Sequence, residues 1–410
     1  MMTTELCNQA VVDAQTHEIA YTKFMSANDS GETGSHQSGI LLGNIMFGVF
    51  FDGQPPTNGD PIRRRVEAVV QGDPEDTREL SVIYYPSKTE MRITRWGRGD
   101  QFILPEYTGS LFVLVVHRPD KIFVYRFDTD DSITDFLAGV GIDSTQTNSI
   151  IGSDHIARTK SLEEQLRDAL QQAAQQLMLS VDDFPTTTQM SQTARQIEDH
   201  VLDHIERITT DPDSKLVSWT NVEYSLFKLV EQIRYRDVMN RGFNNVEDFV
   251  AVANSILNRR KSRAGKGFES HVAAILDGNQ VRYTPQAITE EHKKPDFIFP
   301  SIKQYKQSSF PVAGLTSLAV KTTCKDRWRQ VITEADRLKD SPKYLLTLQQ
   351  GISKNQLREM ESENVQLVVP KEYIASYPPE YKSKIMRVSD FVKLVHERQD
   401  EFSRDRKSVV

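Results

Sequence analysis

Residues 293–300, KKPDFIFP, and residues 317–334, SLAVKTTCKDRWRQVITE, hold the pattern that decides the fold of the C-terminal half of this chain. Each contains a short apolar run, rich in aromatic or β-branched residues, of the kind that favours a buried strand. Asp296 stands at the start of the first run, and Lys321 stands at the end of the second. If the two strands pair, an acid and a base meet at one edge of a sheet.

An acid and a lysine at one sheet edge match what metal-dependent phosphodiester hydrolysis requires. That reaction needs a hard cation held by carboxylates, a positioned water, and positive charge near the phosphate. In the commonest nuclease pattern a second acid lies two residues before the lysine, but Ala319 occupies that position here. The alternative is coincidence, because a Pro-Asp pair followed about 25 residues later by a lysine also arises by chance.

Two other acids are candidates for the missing ligand. We predict a helix over residues 326–338, directly after the strand, which points Glu334 back at the strand end. Glu269 lies on the helix before Asp296 and is a supporting acid. We therefore expect Asp296 and Glu334 to bind Mg²⁺, and Lys321 to orient or activate the water and to offset phosphate charge.

Basic residues around these acids are candidate DNA contacts. Lys325, Asp326 and Arg327 have the chemistry to read G·C pairs, because Arg and Lys donate to guanine while Asp accepts from cytosine. Their other interpretation is a helix N-terminus with Asp326 as its N-cap. The cluster at residues 259–266 is predicted to contact phosphates through Arg260, Arg263 and Lys266, and is otherwise a charged helix end.

The chain as a whole is predicted to be a two-domain α+β protein. Short apolar runs separated by turn residues, such as 79–86, 102–109 and 110–120, predict a barrel-like β domain over residues 1–179. It closes with a helix over 161–179 that begins with a capping box. A linker at 180–189 precedes an α/β domain over 190–410, with a central mixed sheet and helices on its faces.

The N-terminal half has its own candidate DNA contacts. Lys88, Glu90 and Arg92 recur with period two, so we expect them on one face of a strand, with Arg95 and Arg98 following. A polar, glycine-rich loop at 26–39 contains His36, and Lys23 lies just before it. The alternative is a solvated hairpin and a flexible loop.

Composition excludes several classes of function. The 410 residues carry a net charge of −7 and contain two cysteines, without the spacing of a disulfide or zinc site. No apolar run approaches the ~20 residues that span a bilayer, so we expect a cytoplasmic protein with no membrane partner. No phosphate-binding loop or dinucleotide fingerprint occurs, which disfavours ATP-driven or redox chemistry.

At these residues the chain resembles the EcoRII-type restriction endonucleases. The resemblance rests on strings along almost the whole chain, namely SANDSGETGSHQ (26–37), RITRWGRG (92–99), NRRKSRAGK (258–266), QAITE (286–290), KKPDFIFP and AVKTTCKDRWRQ (319–330). It implies a restriction-endonuclease-like C-terminal nuclease and an N-terminal DNA-binding pseudobarrel. The pseudobarrel would bind a second copy of the site as an allosteric effector and would inhibit cleavage until it is occupied.

The resemblance also implies roles for particular residues and partners. The family's catalytic set falls on Glu269, Asp296, Lys321 and Glu334, and its base-reading set falls on Lys325, Asp326 and Arg327. Its N-terminal contacts fall on Lys23, His36, Lys88, Glu90 and Arg92. A homodimer, Mg²⁺ dependence, a double-stranded target of the CCWGG kind and a cognate cytosine methyltransferase are implied as well.

Two other functions remain open at this point. One is a sequence-specific DNA-binding regulator whose nuclease domain has lost activity; the complete acid and lysine set argues against it. The other is a nuclease specific for modified DNA, which would need an aromatic pocket for a flipped base. Trp96 is the residue that would form such a pocket.

Overall fold

The fold is described by a computed structural model covering residues 3–17, 19–33, 39–97, 100–151, 160–181, 183–202 and 206–404. Of the predicted DNA contacts, His36 and Arg98 lie outside the described residues. Within the described ranges, no helix is both long and apolar enough to cross a membrane.

A curled sheet of eight strands forms the N-terminal half. Its strands are β1 (Ile19–Phe24), β2 (Ile40–Leu42), β3 (Ile62–Val70), β4 (Thr77–Tyr85), β5 (Glu90–Thr94), β6 (Leu111–Arg118), β7 (Lys121–Phe127) and β8 (Ser149–Ile150). They lie in the order β2-β5-β4-β3-β7-β6-β1-β8, and only β3 and β7 pair in parallel. The β-rich character that the apolar runs predict is therefore confirmed.

Both faces of this sheet are covered, which explains why its strands are so apolar. Helices α1 (Thr3–Thr16) and α3 (Asp130–Val140) pack on one face through residues such as Phe127 and Phe136. The other face encloses a larger core that includes Tyr21 and the short helix α2 (Phe47–Phe50).

A mixed sheet of five strands forms the core of the C-terminal half. Its strands are β9 (Thr284–Pro285), β10 (Phe297–Phe299), β11 (Thr316–Lys321), β12 (Lys343–Thr347) and β13 (Val365–Val368). The first three pair in antiparallel fashion, and β11, β12 and β13 are parallel. The predicted central mixed sheet is present.

Helices surround this second sheet. They are α4 (Lys160–Leu179), α5 (Thr187–Leu202), α6 (Arg207–Thr210), α7 (Pro212–Arg241), α8 (Val246–Gly278), α9 (Ile302–Lys306), α10 (Trp328–Ile332), α11 (Lys354–Ser362) and α12 (Val388–Arg404). Helices α7, α8 and α12 cover one face, whereas α10 and α11 cover the other.

Helix α4 packs against helices of the C-terminal half. Leu170, Ala174 and Leu177 share a buried cluster with Leu226 and Phe227 of α7. The segment between α4 and α5 covers much of the predicted linker at 180–189. The division into 1–179, 180–189 and 190–410 stays a prediction. Because α4 packs against α7, this helix is the element whose assignment decides where the first unit ends.

Three local predictions are wrong. Residues 102–109, predicted as a strand, form turns and a short 3₁₀ helix, Pro105–Tyr107, that begins at a proline. Lys88 lies in a 3₁₀ turn, Pro86–Lys88, and not on β5, because Thr89 adopts a left-handed φ of 51°. The helix predicted over 326–338 is only α10, since Ala335, with a φ of 54°, ends the regular structure.

Candidate active site

The pairing of β10 with β11 brings Asp296 and Lys321 together. Phe297 lies opposite Leu318, so the residue before β10 meets the end of β11. The Lys321 Nζ donates to Asp296 Oδ2 at 3.1 Å, and the Val320 amide donates to the same oxygen at 2.7 Å. Asp296 is 6% exposed, so this contact is shielded from competing water. The acid and base that the sequence predicts at one sheet edge are in contact.

Glu334 lies with this pair although the predicted helix is absent. It follows α10 at the bend before Ala335. Burial raises the pKa of its carboxyl to about 7; the charge of Lys321 acts in the opposite direction and that of Asp296 in the same direction. Glu334 is therefore near enough to the Asp296–Lys321 pair for both charges to act on its carboxyl.

Glu269 reaches the same group from α8. Burial raises the pKa of its carboxyl, and the nearby negative charge of Asp296 adds to the effect. The Gln286 side-chain amide donates to Glu269 Oε2 at 3.1 Å and to Asp296 Oδ1 at 2.9 Å. All four predicted catalytic residues are therefore neighbours in the folded chain.

The donor chemistry of this group fits a magnesium ion. Mg²⁺ takes oxygen ligands and keeps several waters, so one or two carboxylates and a substrate phosphate suffice. Asp296 and Glu334 are carboxylates of this kind. Among the residues that the structure describes, no three His, Cys, Asp or Glu side chains are grouped closely enough to enclose a metal without such help. Both cysteines, Cys7 and Cys324, are buried free thiols.

The predicted base-reading segment contacts the N-terminal half. The backbone amides of Lys325, Asp326 and Arg327 donate to the Asp130 carboxylate of α3 at 3.0, 2.7 and 2.8 Å. The Lys325 Nζ donates to the carbonyl of Thr108 at 2.6 Å, and burial lowers its pKa to about 8. In this conformation Lys325 is buried and cannot reach DNA.

Two acids, one from each half, meet at the same contact. The hydrogen bond to Asp130 raises the pKa of Asp326 to about 6. Burial opposes ionisation of Asp130, but hydrogen bonds from Asp326 and from the backbone lower its pKa. The Asp130 backbone amide also donates to Asp326 Oδ1 at 3.3 Å, so the two acids are linked across the contact between the two halves. Asp326 does not serve as the helix N-cap, since α10 begins after Arg327.

The predicted phosphate contacts on α8 are in different environments. Arg260 pairs with Glu231 at 2.7 Å and donates to the carbonyl of Ala138. Arg263 is buried and pairs with Asp143 at 2.8 Å. Only Lys266 is exposed. Contact of Arg263 with DNA would require the two halves to separate.

The predicted contacts in the N-terminal half are mostly internal pairs. Lys23 is buried and pairs with Asp29 at 2.7 Å. Glu90 and Arg92 share a face of β5, as predicted, and pair with each other at 3.1 Å. Arg95 follows the strand and pairs with Glu79 at 3.3 Å.

Two residues of the site were missed by sequence reasoning. Gln286 lies in the string QAITE, but a glutamine carries no catalytic signature by itself. Asp130 lies in the acidic segment 128–135 and is one of several aspartates there. The sequence can indicate that Asp130 lies at the N-terminus of a helix. Its contact with residues 325–327 cannot be predicted in this way, because it depends on how the two halves dock.

Comparison with known proteins extends over both halves. The family model described as "Restriction endonuclease EcoRII, N-terminal" matches residues 14–143, and the model described as "EcoRII C terminal" matches residues 227–392. The Type II restriction enzyme EcoRII of Escherichia coli is 34% identical over 390 residues, covering 91% of this chain and 93% of that protein.

Two solved structures resemble part of the fold. Metal-depleted Ecl18kI in complex with uncleaved, modified DNA covers 57% of this chain and 84% of that chain, at 18% identity and a TM-score of 0.45. A complex of restriction endonuclease PspGI with substrate DNA covers 53% of this chain and 94% of that chain, at 19% identity and a TM-score of 0.44.

Proposed function

Because the chain belongs to the EcoRII family of Type II restriction enzymes, we propose that it is an endonuclease that makes Mg²⁺-dependent double-strand breaks at a short site flanked by C and G, of the CCWGG kind. The observation that carries the proposal is the contact of Asp296 with Lys321, at 3.1 Å, beside Glu269 and Glu334. Acids and a lysine at one sheet edge fit phosphodiester hydrolysis.

Each residue of the group has a distinct part in the reaction. Asp296 is held by the Val320 amide and by Lys321, so its carboxylate is oriented before substrate arrives. Asp296 and Glu334 would hold Mg²⁺, which as a Lewis acid neutralises developing charge on the phosphate. Lys321 orients the attacking water and offsets charge on the phosphate. Glu269 supports the position of Asp296.

The test is cleavage of a plasmid that bears several CCWGG-like sites. Purified protein with Mg²⁺ should linearise and fragment it. The variants Asp296→Ala and Lys321→Ala should lose cutting by a factor of about 100 or more, because a metal ligand or a transition-state charge is removed, while DNA binding survives. Cutting retained in both variants would contradict the assignment of these residues.

The docking of the two halves supports autoinhibition by the N-terminal half. Asp130 is fully buried and accepts the amides of residues 325–327. Buried hydrogen bonds to a charged group contribute about 1.5 to 3 kcal/mol. The backbone of the segment that would read bases is therefore held by the N-terminal half, and Lys325 is buried. We propose that the segment is released when a second copy of the site binds the N-terminal half as an effector.

The charges across this interface also favour competition with DNA. Asp131 pairs with Arg327 at 2.7 Å, Asp143 pairs with Arg263 at 2.8 Å, and Asp135 pairs with Lys261. Acidic side chains of the N-terminal half thus form ion pairs with lysine and arginine side chains that the sequence predicts to contact DNA. Opening of the interface would exchange these carboxylates for phosphates. The N-terminal contacts Lys23, Lys88, Glu90, Arg92 and Arg95 remain the candidates for binding the effector copy.

We also propose that the enzyme is a homodimer. Four of the ten exposed large apolar side chains among the described residues fall within 239–250, at the tip where α7 turns into α8. The same tip carries Arg241 at the end of α7 and Glu247 and Asp248 at the start of α8. A surface that is apolar and carries both charges can pair with itself about a two-fold axis.

A restriction enzyme of this kind acts beside a protecting enzyme. A cytosine methyltransferase that modifies the same site is the partner we propose for this chain in the cell. The alternative of a nuclease for modified DNA is weakened by Trp96, which is 4% exposed and stacks on Phe102 at 4.9 Å in the core. It leaves no open aromatic pocket at that residue for a flipped base.

A further inference from the structure

Gln286 connects two acids of the candidate active site. Its side-chain amide donates one hydrogen bond to Glu269 Oε2 at 3.1 Å and another to Asp296 Oδ1 at 2.9 Å. Its backbone amide donates to the carbonyl of Asp296 at 2.9 Å. Glu269 comes from α8 and Asp296 from the start of β10, so one residue ties both elements to the same point.

The backbone of Gln286 is held in an uncommon conformation for this contact. Its φ is 47°, in the left-handed region that a non-glycine residue enters at a cost of order 1 kcal/mol. The residue is exposed, so hydrophobic burial does not account for this conformation. Strain of this type persists where surrounding contacts over-determine it, which is common at functional sites.

The hydrogen bonds of Asp296 define where its free lone pairs point. The Val320 amide and Lys321 occupy Oδ2, whereas Gln286 occupies one side of Oδ1. The carboxylate plane is thus fixed at both oxygens, and Oδ1 keeps a lone pair for a cation. The second N–H of the Gln286 side-chain amide donates to Glu269. One amide group therefore holds the two carboxylates side by side.

We propose that Gln286 is a positioning residue that pre-arranges Asp296 and Glu269 for the divalent cation and thereby sets its affinity. The inference rests on the proposed nuclease function for the identity of the site. Before the cation binds, the amide bridges the two carboxylates and limits their repulsion. After it binds, the same hydrogen bonds hold the ligand orientation, as outer partners of metal ligands commonly do.

The direct test measures cation binding without DNA and without turnover. Mn²⁺ serves as the probe, because the electron paramagnetic resonance signal of the free ion reports how much is bound. Gln286→Met keeps the length of the side chain and removes both donors, and Gln286→Ala removes the side chain. Both should weaken Mn²⁺ binding by about 10- to 100-fold. Wild-type affinity in Gln286→Met would overturn the proposal, since only packing would then matter.

Gln280 provides a matched control. It is also an exposed glutamine with a left-handed φ, 58°, and it lies in the same segment between α8 and β10. Among the described residues its side chain donates no hydrogen bond to the three acids or the lysine of the site. Gln280→Met should therefore bind Mn²⁺ as the wild type does. An equal loss in Gln280→Met would assign the effect to the fold of this connection and overturn the role of Gln286.

Cleavage assays separate this inference from the proposed function. In Gln286→Met the Mg²⁺ concentration for half-maximal cutting should rise by about 10- to 100-fold, with most of the rate recovered at saturating Mg²⁺. A rate that stays low at every Mg²⁺ concentration, with normal Mn²⁺ binding, would overturn the positioning role. A wild type that binds Mn²⁺ but never cuts DNA would instead contradict the nuclease function.

Discussion

At the scale of single residues, the candidate active site lacks the acid that the commonest nuclease pattern has two residues before the lysine. Ala319 points into the core beneath α10 and α11, so it offers no ligand. Glu334, at the bend after α10, is the carboxylate that we propose in its place. Lys343 of β12, which is 4% exposed, adds a positive charge near it. The proposed second ligand would therefore come from a different part of the chain than in the commonest nuclease pattern.

The raised pKa of Glu334, about 7, predicts a cost in stability. The folded chain keeps the proton between the ordinary value of 4.5 and about 7, whereas the unfolded chain loses it, so stability falls as the pH rises through this range. Glu334→Gln cannot ionise. It should be more stable than the wild type at pH 8, by about 1 to 3 kcal/mol, and equal to it near pH 4.5.

Urea unfolding in the presence of a chelator measures this difference. The Gln variant should also lose cleavage, because a neutral amide is a poor Mg²⁺ ligand. Lower stability than the wild type at pH 8 would show that the buried charge of Glu334 is compensated, and would contradict this prediction.

The sequence brings the candidate catalytic residues together for reasons that differ in strength. Asp296 and Lys321 follow from two apolar runs whose pairing puts their ends together. Glu334 was placed correctly from a helix that does not extend so far, because Ala335 packs against Leu338 and Phe310 in a left-handed conformation. That conformation is imposed by tertiary packing and has no local signal. Gln286 was missed because a glutamine carries no catalytic signature in the sequence.

At the scale of elements, the long helices could be predicted from the sequence, whereas the short helical turns could not. Helices α7 and α8 carry apolar residues at helical spacing over many turns, and both are present. Lys88 was misplaced because Pro86 opens a 3₁₀ turn just before β5. Where the period is broken by a turn of two or three residues, neighbouring packing decides the conformation.

The tip of the α7–α8 hairpin provides the element-scale prediction. If this surface pairs two copies, the wild type should sediment at twice its chain mass of 46.8 kDa. Phe249→Glu should sediment as a monomer at micromolar concentration, because a stable interface of about 1,000 Å² or more does not accept a buried unpaired charge. Val12→Glu, at an equally exposed apolar residue on α1, should leave the dimer intact.

A monomeric wild type would contradict the proposed dimer. Loss of the dimer in both variants would show that the added charge acts through the fold and not through the hairpin surface.

At the scale of the whole molecule, the two halves dock through charged and polar contacts. Glu32 accepts the Lys354 amide at the start of α11, and Gln349 donates to the carbonyl of Gly109 at 2.8 Å. Gly109 leaves no room for a side chain, because a Cβ there would lie 2.0 Å from the Gly351 carbonyl oxygen. This docking could not be read from the sequence, since it depends on two surfaces meeting after each half has folded.

Release of this docking should activate the enzyme. Asp130→Ala removes the acceptor of three backbone amides at the interface and should weaken the closed state by about 2 kcal/mol, roughly a 30-fold shift. It should therefore cut DNA with a single site faster than the wild type does. Asp131→Ala, which removes only a solvent-exposed ion pair, should change little.

Removal of the N-terminal half should act in the same direction, and it also tests where that half ends. A fragment that begins at Lys160 keeps α4 on its partner helices and should cut single-site DNA. A fragment that begins near Phe184 exposes the apolar surface that Leu170 and Leu177 cover, and should be less stable. An inert Lys160 fragment, or an unchanged Asp130→Ala variant, would contradict autoinhibition.

The central claim is that one short stretch, from Asp296 to Glu334, makes this chain a site-specific nuclease. The measurement that tests it most directly is sequencing of the DNA ends left when wild type and Asp296→Ala act on unmethylated genomic DNA with Mg²⁺. We predict double-strand ends at one short sequence of the CCWGG kind for the wild type and none for the variant. Ends scattered without a common sequence, or equal cutting by the variant, would contradict the account.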